Sequence, residues 1–244
     1  MVENNRYAQP SVGTRQDGVT DQGLRSHMLG IYNYMAGGVA LTGVVAFATS
    51  MLAKSDPAIA QLLYASPLKW VLMLAPLGFV FFLGFRIHKM SVATAQITFW
   101  AYAALMGVSL SSIFLVFAGQ SIAQVFFVTA AAFAALSVFG YTTSKDLSGW
   151  GSFLFMGLIG IIIAAVVNLF LQSSALMFAI NVIGVLVFAG LTAYDTQRLK
   201  DEYYHVQGNA ELMAKSSIMG ALSLYLNFVN MFMMLLQLFG SGDE

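Results

Sequence analysis

Asp195 is the acidic residue whose position in the sequence is most unusual. The other ten Asp and Glu residues lie in polar tails or connections, whereas Asp195 ends an apolar run that begins at residue 175. A carboxylate inside a bilayer is unfavourable unless it is paired, which makes Asp195 a candidate functional residue. The alternative interpretation is an interfacial cap, because Arg198 follows three residues later and can pair with it. The position of Asp195 alone favours neither interpretation.

A second candidate is a series of polar and small residues in the last apolar segment, residues 216–239, which we call the polar stripe. Its members recur every three or four residues and therefore share one face of a helix. Lipid-facing surfaces do not carry such residues, so we predict that this helix contacts other helices or water and is central in the bundle. The polar stripe consists of Ser216, Gly220, Ser223, Asn227, Asn230 and Gln237, with Met234 in the remaining position.

The polar stripe has two interpretations. It can line a path for ions, or its Ser, Asn and Gln side chains can hydrogen-bond across packed helices without conducting anything. Asn181 lies fourteen residues before Asp195, close to four helical turns, and so shares roughly the same face. We therefore expect the sixth and seventh helices to meet through their polar faces, which is compatible with both interpretations.

The composition indicates a membrane protein. Hydrophobic residues make up 59% of the 244 residues and charged residues 9%, with a mean hydropathy of +0.77, whereas soluble domains carry roughly 25% charged residues. The net charge is zero and no cluster of Lys and Arg occurs, which argues against a nucleic-acid partner. The absence of cysteine excludes disulfides, thiolate metal sites and cysteine nucleophiles.

We predict an all-α integral membrane protein with seven transmembrane helices, the seventh central within a bundle of the other six. A helix needs about 20 largely apolar residues to cross the ~30 Å hydrocarbon core. Residues 1–27 are predicted to be a polar cytoplasmic tail, residues 28–240 the transmembrane domain and residues 241–244 a short C-terminal tail. The predicted segments are residues 31–52, 70–85, 97–117, 122–139, 151–171, 175–194 and 216–239.

The distribution of Lys and Arg predicts the orientation in the membrane. If the N-terminus is cytoplasmic, nine of the eleven basic residues lie on the inner side, and only Lys54 and Lys69 lie outside. This bias follows the positive-inside rule for seven spans. We therefore expect a cytoplasmic N-terminus and a periplasmic C-terminus.

Three classes of helical membrane protein do not fit the sequence. A retinal protein needs a lysine in its seventh helix, and residues 216–239 contain none. A rhomboid-type protease needs an intramembrane histidine as its base, and all three histidines lie outside the predicted segments. An intramembrane aspartyl protease needs two carboxylates that share a proton, and the seventh segment offers Asn227 instead of a second aspartate. We therefore predict that the protein is not an enzyme.

Motifs in three of the segments resemble the Bax inhibitor family, in its bacterial branch, and the resemblance covers almost the whole chain. They are Tyr-Asn-Tyr-Met at 32–35 with Gly-Gly at 37–38 and Leu-Thr-Gly at 41–43, Ala-Tyr-Asp-Thr-Gln at 193–197, and Leu-Tyr-Leu-Asn-Phe-Val-Asn-Met-Phe at 224–232. The resemblance implies seven helices with the last enclosed by the others, a pH-sensitive calcium leak and a bacterial inner membrane. It also implies carboxylates on the sixth and seventh helices that share a proton, and an arginine of the second helix that competes for them.

The sequence departs from the family pattern at Asn227, where the family usually carries an aspartate. Asparagine can hydrogen-bond Asp195 and offer a carbonyl oxygen to a cation, but it cannot titrate or repel a neighbouring charge. Calcium prefers six to eight oxygen ligands. Asp195 with Asn227 and Asn230 therefore predicts at most a weak Ca²⁺ site, which suits a leak and not a store.

Two functional hypotheses result. The first is a passive, pH-modulated cation leak, with Ca²⁺ as the transported ion and no other cofactor. In it Asp195 attracts ions and gates, Asn227 and Asn230 line the path, and Arg86 acts as a latch that pairs with Asp195. The second is a non-conducting regulator that binds membrane-protein quality-control partners such as a membrane protease, a role suggested by some bacterial relatives and suited to a flexible, mixed-charge segment at residues 6–25. Both place the protein in a lipid bilayer, and neither sets its oligomeric state.

Overall fold

The computed structural model describes the backbone of residues 13–242 and the side chains of residues 22–87 and 89–242. Within this range the chain forms nine α-helices and no β-strand, and seven of the helices are long and apolar enough to cross a membrane. The seven are α1, α3, α4 continued by α5, α6, α7, α8 and α9. The helices are α1 (Gly13–Ser55), α2 (Pro57–Ala60), α3 (Leu68–Arg86), α4 (Val92–Leu110), α5 (Ile113–Val116), α6 (Gly119–Thr142), α7 (Ser148–Leu171), α8 (Ser174–Val206) and α9 (Ala210–Phe239).

The helix α9 lies at the centre of the bundle, as the polar stripe predicts. In its most apolar 18-residue window 61% of the residues are buried, against 11–33% in the other six spans. It packs against α1, α4, α6 and α8. Tyr225 of α9 is fully buried and lies away from the polar stripe. Its hydroxyl lies 2.7 Å from Oγ1 of Thr42 on α1, and this contact fixes the rotation of α9 about its axis. The predicted fold class is therefore confirmed.

Polar residues end the helices where the connections are short. Ser91, Ser173 and Asn209 cap α4, α8 and α9 by accepting a hydrogen bond from a backbone N–H in the first turn. Gln172 ends α7 in the left-handed conformation, with φ 50° and ψ 35°, which turns the chain directly into α8. Consecutive spans therefore run in opposite directions. We call the end with the α3–α4, α6–α7 and α8–α9 connections the basic face, because the predicted inner Lys and Arg residues lie there.

Several helices extend beyond the predicted segments. The helix α1 begins at Gly13, so the predicted boundary at residue 27 falls inside a helix, and residues 13–25 are helical where a flexible segment is predicted. Residues 1–12 of the predicted tail and residues 243–244 lie outside the described residues. The helix α8 continues twelve residues past residue 194, which places Asp195 within a helix and not at its end. Hydropathy predicts that a segment ends at the first charged residue. The backbone hydrogen bonds of the helix continue past that residue.

The helix α3 is the least buried of the seven spans, with 11% of its apolar window buried. It packs mainly on α4, and Pro76 lies inside it. Proline removes one backbone hydrogen bond and bends a helix at that point. The side of α3 that faces α8 and α9 borders a cavity.

Candidate functional site

Asp195 lies at the interface of α8 and α9, and both of its carboxylate oxygens are engaged. Oδ2 accepts hydrogen bonds from Nδ2 of Asn227 at 2.8 Å and from Oγ of Ser223 at 3.0 Å. Oδ1 forms an ion pair with Nη2 of Arg198 at 2.8 Å. Asp195 is 7% exposed. Ser223 and Asn227 are four residues apart on α9, so the 3.6-residue period alone brings both to the same carboxylate.

Arg198 is the basic partner of Asp195, and Arg86 is not. The Arg198 side chain is 44% exposed, and its Nη2 also donates to Oγ of Ser223 at 3.3 Å. Arg86 is exposed at the end of α3, and no ion pair among the described residues includes it. Arg198 is favoured because a residue three positions away on the same helix needs no tertiary movement to reach the carboxylate.

Two cavities meet at Arg198. One, of about 370 Å³, lies between α3, α8 and α9, and Val80, Ser223 and Leu226 are among its lining residues. The other, of about 310 Å³, lies at the basic face and is lined by Asp201 and His205 of α8 among others. Arg198 and Glu202 line both cavities. The side chain that pairs with Asp195 thus lines both the cavity at the basic face and the cavity between α3, α8 and α9.

Asn230 belongs to a third cavity and does not join Asp195. This cavity, of about 580 Å³, opens toward the opposite face. It is lined by residues of α3, Lys69 among them, by residues of α4 and α9, and by Tyr64. Nδ2 of Asn230 donates to the carbonyl of Leu226 at 2.8 Å. Val80 and Leu226 line both this cavity and the one beside Arg198. An apolar pair therefore separates the two spaces.

The remaining members of the polar stripe form separate contacts between α8 and α9. Oγ of Ser216 donates to Oε1 of Glu202 at 2.7 Å, near the basic face. Nδ2 of Asn181 donates to Oε1 of Gln237 at 3.2 Å, toward the opposite face. The two polar faces do meet, as the fourteen-residue spacing predicts. They meet in three separate hydrogen-bonded groups, of which only the middle one contains Asp195.

Comparison with known proteins agrees with this arrangement. Residues 24–244 match the family described as "Inhibitor of apoptosis-promoting Bax1". The chain belongs to the Bax inhibitor family. It is 48% identical to a protein of Caulobacter vibrioides over 99% of this chain and 98% of the relative. It is 47% identical to a protein of Rickettsia prowazekii (98% and 99%), and 46% identical to the inner membrane protein YbhL of Escherichia coli K12 (90% and 93%).

Within this Bax inhibitor family protein, Asn227 presents its amide nitrogen to Asp195. The carboxylate thus receives two uncharged donors and one cation. A Ca²⁺ ion takes six to eight oxygen ligands, and the guanidinium of Arg198 already occupies one side of the carboxylate. In this arrangement the guanidinium of Arg198 balances the charge of the carboxylate.

Sequence reasoning missed His27, which was placed outside the predicted spans. It is 5% exposed in α1, its Nδ1 lies 3.2 Å from Oγ of Ser217, and its ring packs 5.5 Å from that of Tyr203. The position of the histidines therefore does not by itself argue against a serine protease. Ser217 Oγ, however, donates to the carbonyl of Met213 at 2.9 Å, so the hydroxyl is engaged within its own helix. The signal available in the sequence was a helical continuation of the first segment toward Gly13.

Lys215 is a second buried polar residue that the predicted segments place in a connection. It lies in α9, is 8% exposed and pairs with Glu211 at 2.7 Å. Asn209 followed by Glu211 is an N-terminal helix signal, and it would have extended the seventh segment back to Ala210.

Proposed function

We propose that this protein is a passive, gated cation leak that carries Ca²⁺ across a bacterial inner membrane, with its N-terminus in the cytoplasm. The observation that carries the proposal is the pair of cavities that approach each other from the two faces and share Val80 and Leu226. The buried carboxylate of Asp195 lies directly beside one of them, bonded to Ser223 of its lining. A cation could cross along the α3 side of α9 if these two apolar side chains separated.

The closed state has two barriers along this route. The first is apolar, because a constriction lined by Val80 and Leu226 excludes water and therefore hydrated ions. The second is electrostatic, because the guanidinium of Arg198 lies where the cavity at the basic face meets the cavity between α3, α8 and α9. The helix α3, which is little buried and contains Pro76, is the element whose displacement would widen the constriction.

Protonation of Asp195 would couple this gate to pH. A neutral carboxyl group no longer holds Arg198 by charge, so the guanidinium is free to leave the junction. With Asn227 in place of a second aspartate, the site holds a single carboxyl group, so the pH response of the gate would be shallow. Arg86 could act as a latch only after α3 moves, since it contacts Asp195 by no ion pair among the described residues.

A non-conducting regulator is the second candidate. The observation that favours it is that the polar groups between α8 and α9 bond to one another in three groups, from Ser216 with Glu202 to Asn181 with Gln237. A helix interface needs such bonds for packing alone. In this role the bundle would present the described part of α1 and the ends of α8 and α9 to a membrane-protein partner.

Ca²⁺ flux into dye-loaded proteoliposomes tests the proposal. We expect the native protein to leak above empty liposomes at acidic, neutral and mildly alkaline pH, and Asp195→Asn to alter the leak. Asn168→Ala, at a buried position on α7 away from Asp195, is the matched control and should leave it unchanged. Flux from none of these proteins above empty liposomes would contradict the leak and favour the regulator.

A further inference from the structure

An apolar groove of about 690 Å³ runs between α1 and α6. The helix α1 packs on α4 and α9, and α6 packs on α8 and α9, which leaves the space between them open. Small residues widen it, since alanines face it from both helices. These are Ala36 and Ala40 on α1 and Ala130 and Ala134 on α6. Phe228 of α9 also lines the groove.

The groove opens sideways to the lipid. Leu29 and Val138 line it from opposite helices and are 51% and 62% exposed. Apolar side chains make up nearly all of its walls, so water within it would lack hydrogen-bond partners. In a bilayer a space of this size and character is filled by hydrocarbon.

The end of the groove at the basic face carries polar groups. Arg25 is exposed there and lines the groove. Nζ of Lys200 lies 3.1 Å from the carbonyl oxygen of Tyr141 and 5.2 Å from the centre of its ring, and Tyr141 is also a lining residue. None of the described residues that line the groove is acidic. The charged side chains described at this end, those of Arg25 and Lys200, are therefore both cationic.

Ser137 gives the groove a polar group at a second depth. It lies one turn before Tyr141 on α6, is 6% exposed and lines the groove. Its Oγ is buried and has no hydrogen-bond partner among the described residues. A buried hydroxyl without a partner is unfavourable. A rotation of the Ser137 side chain toward the groove would let its hydroxyl donate to an ester carbonyl of a lipid whose headgroup lay at Arg25.

The groove is longer than one acyl chain and can hold the whole of it. From Arg25 to Ala40, fifteen residues of α1 rise ~22 Å at ~1.5 Å per residue. One leaflet supplies about half of the ~30 Å hydrocarbon core. A chain anchored at Arg25 therefore fits within the groove along its whole length.

We propose that the groove between α1 and α6 binds an anionic phospholipid, with one acyl chain along the alanines and its phosphate at Arg25. Phosphate pairs well with a guanidinium, and the surrounding leaflet supplies phospholipid at high concentration. The occupant would contact Phe228, next to Asn227, and Tyr32, whose hydroxyl lies 3.2 Å from Oγ1 of Thr196. The site does not depend on whether the protein conducts.

Native mass spectrometry of the full chain in mild detergent tests this proposal, with phosphatidylglycerol and phosphatidylethanolamine added in equal amounts. We expect the native protein to retain phosphatidylglycerol in preference. Arg25→Gln should lower that preference about fivefold, the effect of one basic side chain near an anionic lipid. The matched control is Lys89→Gln, an exposed lysine beyond α3 and outside the groove, which should leave it unchanged.

A second pair of variants tests the groove itself. Ala134→Phe should fill it and remove the bound lipid, whereas Ala131→Phe, exposed on α6 but outside the groove, should not. Phosphatidylglycerol should also raise the thermal midpoint of the native protein more than that of Arg25→Gln, a readout that does not need Ala134→Phe to fold. Equal retention of both lipids by the native protein, equal binding by the two phenylalanine variants, or a free fatty acid as the bound species would overturn the proposal.

Discussion

Asn227 on α9 donates a hydrogen bond from Nδ2 to Oδ2 of Asp195 on α8, over 2.8 Å. The family resemblance implies a second carboxylate at this position. In its place the amide gives Asp195 a neutral partner, so the carboxylate can be ionised without facing a like charge. The carboxylate also forms an ion pair with Arg198, three residues further along α8.

Asn227→Asp should make the leak depend more steeply on pH. Two carboxylates about 3 Å apart share a proton and titrate as a coupled pair, whereas the native protein has one carboxylate here. The measurement is Ca²⁺ flux in proteoliposomes as a function of pH. Asn168→Asp is the matched control, since Oδ1 of Asn168 accepts from the backbone N–H of Ser173 and a carboxylate keeps that bond. Identical pH curves for Asn227→Asp and the native protein would contradict the account of the missing carboxylate.

Arg198→Gln should raise the leak at neutral pH several-fold. It removes the cation from the point where the two cavities lined by Arg198 meet, and it leaves the carboxyl group of Asp195 without its ion-pair partner and available to a cation. Arg86→Gln, which changes an exposed arginine at the same face, is the comparison and should have a small effect. If only Arg86→Gln alters flux, Arg86 at the end of α3 is the latch and the ion pair between Arg198 and Asp195 is not the gate.

Leu226→Ala should raise the basal leak, because it removes three carbons from the constriction between the cavity beside Arg198 and the cavity that contains Asn230. The control is Leu235→Ala. Leu235 is a partly buried leucine of the same helix and lies outside both cavities. Equal flux from the two variants would show that ions do not pass between Val80 and Leu226.

Thr42→Val should destabilise the bundle by about 1 to 3 kcal/mol, the cost of leaving a buried polar group unpaired. Oγ1 of Thr42 donates to the carbonyl of Ala103 at 2.8 Å and lies 2.7 Å from the hydroxyl of buried Tyr225. Thermal unfolding in detergent measures the change. Thr98→Val, which loses only a bond to Thr94 within its own helix, should change the midpoint far less, and equal shifts would contradict this role for Thr42.

Gly140→Ala should separate α6 from α8 and lower the thermal midpoint. A methyl group at Gly140 would collide with the backbone of Ala193, two residues before Asp195, and overpacking of this kind costs about 1 to 3 kcal/mol. Gly160→Ala on α7 is the control, because nothing lies within 4 Å of the added atom. An unchanged midpoint for Gly140→Ala would mean that α6 and α8 pack less closely than the structure has them.

The sequence was sufficient for the seven spans and for the central position of α9. Backbone groups in lipid must be paired within the segment, so a long apolar run is a helix wherever it occurs. The spacing of the polar stripe, and of Asn181 with Asp195, is a property of one helix at a time and predicts which faces meet. Asp195, Asn227 and Ser223 accordingly come together as the periodicity indicates.

The sequence alone therefore determined which helices form and which of their faces are polar, and the tertiary structure decided which groups touch. Arg198 rather than Arg86 pairs with Asp195, Asn230 lies in a separate cavity, and His27 is buried. The groove between α1 and α6 likewise depends on the spacing of these two helices, because the alanines of each helix do not by themselves show that a space remains between them. Each of these depends on the rotation and spacing of helices distant in the sequence. That arrangement is set by the packing of all seven helices together, whereas periodicity is set within each.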